Sequence, residues 1–183
     1  TIVDNASYSD FAGYLELATL DYRIEVRDET GTLTVKSYEA PLNTLGLQDA
    51  ALTVLASGFL DPSQNSNGAP FGLFVALPSG GALIPLPEST ARVQVIHNSP
   101  DALASAVDVY LNDALLIDDF AFRTASPFID APAAVDFTVG IAPANSSSSA
   151  DAIATFDYNL APGETYIIVA SGIVNAAGYN PAP

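Results

Sequence analysis

Leu20-Asp21-Tyr22-Arg23-Ile24-Glu25-Val26 alternates apolar and polar side chains, with Tyr22, Ile24 and Val26 on one face and Arg23 and Glu25 on the other. Successive side chains leave a pleated backbone on opposite sides, so this period of two marks a strand with one face in a core. Arg27-Asp28-Glu29-Thr30-Gly31 then supplies turn chemistry. Strand character resumes from Thr32 to Tyr38, and the two runs together read as a hairpin.

The same texture continues in both directions. Short runs of Val, Ile, Leu, Tyr, Phe and Thr are separated by Gly, Pro, Asn, Asp and Ser clusters every ~8–12 residues, the spacing of an all-β chain. Further strands are expected over 72–77, 92–97, 106–111, 114–117, 128–131, 135–142 and 152–158, with Asn112-Asp113 as a tight turn. Residues 51–60 and 165–174 are apolar on both faces, which predicts central, well-protected strands of a sandwich. Leucines in 40–52 come close to helical spacing, but Pro41, Asn43 and Gly46 oppose a helix, so this segment is expected to be a loop.

The chain also repeats itself. Leu20-Asp21-Tyr22-Arg23-Ile24 is echoed by Val135-Asp136-Phe137-Thr138-Val139 at an offset of 115, and Val54-Leu55-Ala56-Ser57-Gly58 by Ile168-Val169-Ala170-Ser171-Gly172 at 114. Two matches in one register divide the chain into related partial repeats, 1–87 and 88–183. The second opens with two strands, 92–97 and 106–111, that have no counterpart in the first. The first continues past its Ala-Ser-Gly strand into the 71–77 run, which has no counterpart in the second. The expected fold is therefore an immunoglobulin-like antiparallel β-sandwich in two copies, one lacking its N-terminal strands and the other its C-terminal strand. A sandwich missing a strand exposes main-chain donors and acceptors that invite pairing with another chain.

Composition narrows the function. Apolar residues make up 49% and charged ones 14%, enough to build a core. Twenty-one acidic against five basic residues give a formal charge of −16, which repels nucleic-acid phosphates and anionic lipid. The apolar runs are much shorter than the ~20 residues of a membrane-spanning helix. Absence of Cys removes disulfides, thiolate catalysis and the usual structural zinc. Such acidic, Lys-poor composition suits an extracellular bacterial protein.

Ala91-Arg92-Val93-Gln94-Val95-Ile96-His97-Asn98-Ser99-Pro100-Asp101-Ala102, followed by Ala106-Val107-Asp108-Val109-Tyr110-Leu111-Asn112 and Leu160-Ala161-Pro162-Gly163-Glu164-Thr165-Tyr166, resembles the domain of unknown function 4397 family over residues 91–174. The resemblance implies tandem immunoglobulin-type sandwich modules of exported bacterial proteins, and no reaction.

Residues that could carry chemistry are few. His97, the one histidine, stands beside Ser99 and Asp101, but residues two apart at a strand end cannot align nucleophile, base and orienting group. A backbone-bonding role for His97 and Ser99 at a strand-to-turn junction is expected instead, and no Walker or Rossmann phosphate loop is present. Fifteen Asp to six Glu is a bias that fits turns and would suit Ca²⁺ held by short carboxylates and loop carbonyls. Asp101, Asp118 and Asp119 are the candidate ligands, and no other cofactor is called for. Asn5-Ala6-Ser7 and Asn145-Ser146-Ser147 are glycosylation sequons. Tyr22, Tyr110 and Tyr166 are expected to cap or fill the core.

These readings predict a non-enzymatic structural protein, a stalk or filament subunit that assembles with itself or with neighbouring repeats by strand donation. Phe71, Leu73 and Val75, together with Ile2 and Val3 near the N-terminus, are the expected donors. The alternative is an adhesin domain that recognises glycan or a surface protein, with Ca²⁺.

Overall fold

Tyr22, Ile24 and Val26 of the first hairpin are half-buried. In the computed structural model, which describes residues 2–174, the chain divides into two compact units, Thr1–Glu88 and Ser89–Pro183. Thr1 and residues 175–183 lie outside the described residues. No helix among the described residues is long and apolar enough to cross a membrane.

In unit 1, β1 (Asp21–Arg27) and β2 (Thr34–Pro41) form the antiparallel hairpin, Tyr22 opposite Ala40 and Ile24 opposite Tyr38. Asp28 builds its turn by accepting from the Thr30 hydroxyl and from the Thr32 and Leu33 amides. Residues 42–46 form turns and no helix, in keeping with Pro41 before them and Gly46 at their end. β3 (Thr53–Ser57), β4 (Gly72–Ala76) and β5 (Ile84–Pro85) make a second antiparallel sheet in that order. The buried apolar residues described in unit 1 are Tyr38 and Ala40 of β2 and Leu73 and Val75 of β4.

Unit 2 is a β-sandwich. One sheet has β10 (Ile129–Pro132), β6 (Thr90–His97) and β13 (Thr165–Ala170) in that order, with the short β9 (Thr124–Ala125) also on β6. The other runs β12 (Ala154–Asn159), β11 (Asp136–Pro143), β7 (Ala106–Leu111) and β8 (Ala114–Ala121). Ala91, Val93 and Val95 of the first sheet share one core with Val107, Val109, Phe120 and Phe137 of the second. Among the described residues, eight of the thirteen buried apolar residues of this unit lie within 90–121. At roughly 2 kcal/mol for burying a Val-sized side chain, β6, β7 and β8 supply the larger part of its hydrophobic stabilisation.

Two features depart from the sequence reading. β13 runs parallel to β6, Ile168 beside Val95, because the chain crosses from the other sheet before it pairs. The doubly apolar strands 53–57 and 165–170 are also not central: each has one strand neighbour among the described residues and stands at a sheet edge. Val54 is 48% exposed, Ile167 59% and Val169 49%.

Candidate functional site

Main-chain direction decides what an edge strand can still bind, because the N–H and C=O of one residue point to the same side and successive residues alternate. In unit 2 the Arg92 amide donates to the Glu164 carbonyl and the Asn98 amide to that of Ala170. The even-numbered residues of β13, Ile168 and Ala170 among them, therefore turn to β6, and Thr165, Ile167 and Val169 turn outward. In unit 1 the Leu86 amide donates to the Leu73 carbonyl, so Leu73 and Val75 turn to β5 and Gly72, Phe74 and Ala76 to β3. Their partners Ser57, Leu55 and Thr53 face β4, which leaves Val54 and Ala56 pointing outward.

The internal repeat puts these edges in register. Val54 and Ala56 correspond to Ile168 and Ala170, so the open side of β3 is the side that β6 covers on β13. Conversely, the open side of β13 is the side that β4 covers on β3. β13 also lacks the devices that protect an edge: Thr165-Tyr166-Ile167-Ile168-Val169-Ala170 has no charge, no Pro and no bulge through six consecutive pairs. Such a strand is a template for another. The glycines that follow the two strands differ in the same way. A Cβ on Gly58 would meet the Pro70 carbonyl oxygen at 2.2 Å, just before β4, whereas one on Gly172 meets nothing within 4 Å among the described residues.

The expected donors fall in two places. Leu73 and Val75 are buried in β4, which is paired on both sides, and Phe71 leads into it with its amide bonded to the Phe59 carbonyl. Ile2 and Val3 are 73% and 50% exposed and belong to no strand.

His97 is 1% exposed and wholly engaged. The Ser99 amide donates to Nδ1 at 3.3 Å, so Nε2 carries the proton and donates to the Ala104 carbonyl at 2.7 Å. The Ser99 hydroxyl donates instead to the Gly172 carbonyl, and Asp101 accepts from the Leu103 and Val174 amides. These three polar residues thus hold backbone around the exit of β13.

Of the metal candidates, Asp118 and Asp119 come together, with Asp108 as third member: one carboxylate oxygen from each lies within 4.8 Å of the others. Asp101 is not in this group. Sequence reasoning passed over Asp108 as a ligand, although its place between the core valines 107 and 109 is an unusual one for a carboxylate. It is 1% exposed. The register of β7 on β8 shifts around it, and the amide of Asp119, in left-handed backbone at φ 51°, donates to its Oδ1. The Ser146 hydroxyl donates to Oδ2. Asp108 therefore locks a bulge and a loop.

Burial pushes the Asp108 carboxyl up, but the hydrogen bonds from Ser146 and Asp119 outweigh it and hold the group below the usual range. Desolvation, and then the negative charges of Asp119 and Asp108, push Asp118 up. A lowered folded value stabilises the fold above the unfolded carboxyl's 3.8, and this is lost as pH falls through the folded value. Asp108→Ala orphans the Asp119 amide and the Ser146 hydroxyl. It is expected to lower unit 2 stability at neutral pH by about 3 kcal/mol, read by denaturant unfolding, with the deficit shrinking on acidification.

Two open hollows on the β7–β11–β12 face share Asn112 and Thr138. Their carboxylates are engaged: Asp113 accepts from Ser149, Asp157 from Thr138 and Asp136 from Asn159. Asn5 and Asn145 are both exposed, Asn145 in a turn. Tyr110 is buried with its hydroxyl on Ser146, while Tyr22 and Tyr166 are half-buried and bond backbone at Ala18 and Ala161.

The family described as Domain of unknown function (DUF4397) matches residues 91–182. No curated protein and no solved structure matches the chain.

Proposed function

The chain belongs to the DUF4397 family, and from that premise we propose that it is a structural module of an extracellular bacterial filament or tandem-repeat surface protein, joined to its neighbours by β-strand complementation. One observation carries this reading: among the described residues, β3 and β13 each leave bare the edge that a strand covers on the other. A bare apolar edge without charge or bulge is a liability in an isolated module and a joint in an assembled one. β4 serves as the pattern of the donor, an antiparallel strand whose Leu73 and Val75 turn inward. The charge of −16 keeps such a polymer soluble. The adhesin reading draws on the Asp108, Asp118 and Asp119 cluster, and its mark would be a surface binding that EDTA abolishes.

Light scattering behind size exclusion tests the joint. The full chain is expected to gain mass above 18.9 kDa as concentration rises. Ile167→Lys, which places an edge-blocking charge on an exposed position of β13, should return it to that mass with unfolding unchanged within about 0.5 kcal/mol. A single species of monomer mass at every concentration, with Ile167→Lys indistinguishable from the parent chain, refutes strand complementation.

A further inference from the structure

Unit 1 is open in more places than β3, and all its openings have one shape. The Glu39 amide donates to the Pro87 carbonyl, so Tyr38 and Ala40 turn to β1, and Tyr22, Ile24 and Val26 turn to β2. Arg23 and Glu25 are left pointing outward. Their repeat mates are Thr138 and Gly140. The Asn112 amide donates to the Thr138 carbonyl, so those residues face β7. The bare side of β1 is thus the side that β7 covers on β11.

A third match extends the repeat upstream. Tyr14-Leu15-Glu16-Leu17 lies 114 residues before Phe128-Ile129-Asp130-Ala131, the segment that enters β10. In unit 2, β10 is antiparallel to β6, and Ala131 is 5% exposed. In unit 1 the equivalent stretch belongs to no strand, and Tyr14, Leu15 and Leu17 are 87%, 56% and 50% exposed. β6 stands between β10 and β13, and unit 1 has counterparts of both flanking strands with no described strand of the β6 kind for them.

We infer that unit 1 is the acceptor for a three-strand partner segment of the pattern seen in residues 90–121, its first strand entering between residues 14–17 and β3, and its second pairing with β1. The inference rests on the complementation reading above and names the partner. The strand pattern fits a family segment. Its first strand would bury small and branched side chains like Ala91, Val93 and Val95, and its second the likes of Val107 and Val109. A second copy of this chain is a poor occupant, because giving up residues 90–121 removes eight of the thirteen buried apolar residues described in its own unit 2.

Amide hydrogen exchange tests this on the full chain, with a duplicate of residues 88–122 fused ahead of residue 1 through a flexible linker. The amides of Arg23, Glu25, Val54 and Ala56, which face the bare edges, should exchange about a hundredfold more slowly in the fusion. The same fusion carrying Val→Asp changes at the duplicate's positions equivalent to Val93 and Val95 should leave them fast. Equal exchange in the fused and unfused chains overturns the inference. Protection of these four amides that grows with concentration in the unfused chain also overturns it, by making a second copy the occupant. Ile167 and Val169 report the β13 joint separately, so a failure of this inference is distinguishable from a failure of the complementation reading on which it rests.

Discussion

Gly58→Ala is expected to detach β3 from β4 and cost unit 1 about 4 kcal/mol, a large share of the 5–15 kcal/mol that holds a typical domain. Gly58 sits at φ +94°, outside the range that L side chains adopt comfortably, and an added Cβ would lie 2.2 Å from the Pro70 oxygen and 2.9 Å from that of Ala69. Both contacts are backbone, so nothing yields by rotating a side chain. Relief requires breaking the bonds from the Phe59 amide to the Ala69 carbonyl and from the Phe71 amide to the Phe59 carbonyl. Gly172 is the built-in comparison. It has the same kind of backbone, φ +110°, and open space around it, so Gly172→Ala costs only the conformational strain, about 1–2 kcal/mol. Denaturant unfolding together with exchange at Phe74 and Ala76 measures both. Equal losses in the two variants would mean that the β3–β4 contact is not what Gly58 serves. If a neighbour's strand covers β13 as β4 covers β3, Gly172→Ala also lowers assembly by more than its small loss of stability explains.

Alternation and repetition made most of the strands legible. The period of two in 21–26 and the turn residues after it found the β1–β2 hairpin, and Asn112-Asp113 marked the β7–β8 turn because the left-handed backbone at Asn112, φ 52°, suits that residue. Composition alone could not distinguish a buried strand from a bare edge. Ile167, Ile168 and Val169 are apolar on both faces, which reads as central when neighbours are assumed, and nothing within the strand records whether a neighbour exists. The Tyr14–Leu17 match escaped notice because only its aromatic, branched and acidic character is kept, Tyr for Phe, Leu for Ile and Glu for Asp. Asp108 was hidden for another reason. Its burial depends on a bulge in β7–β8 and on Ser146, which arrives from 38 residues away, and both are tertiary facts. His97 was legible because a ring with two nitrogens at a strand-to-turn junction has backbone groups within reach.

His97→Ala is expected to destabilise unit 2 by about 4 kcal/mol. Part of that is the space left between Phe120 and Phe122, whose rings lie 5.8 Å and 6.2 Å from the imidazole. The rest is two orphaned backbone groups, the Ala104 carbonyl and the Ser99 amide. His97→Phe separates the contributions: it restores the ring volume but neither bond, and should recover about half of the loss. The damage should also travel in one direction. Ser99 holds the Gly172 carbonyl and Asp101 the Val174 amide, so loosening the turn after His97 frees the end of β13 before it disturbs β7 or β11. Exchange at Ile168 and Ala170 should accelerate more than at Val109 or Val139. Uniform acceleration across the sandwich would make His97 an ordinary core residue. Graded acceleration ties the single histidine to the exposed edge strand β13, through hydrogen bonds alone and without a proton transfer.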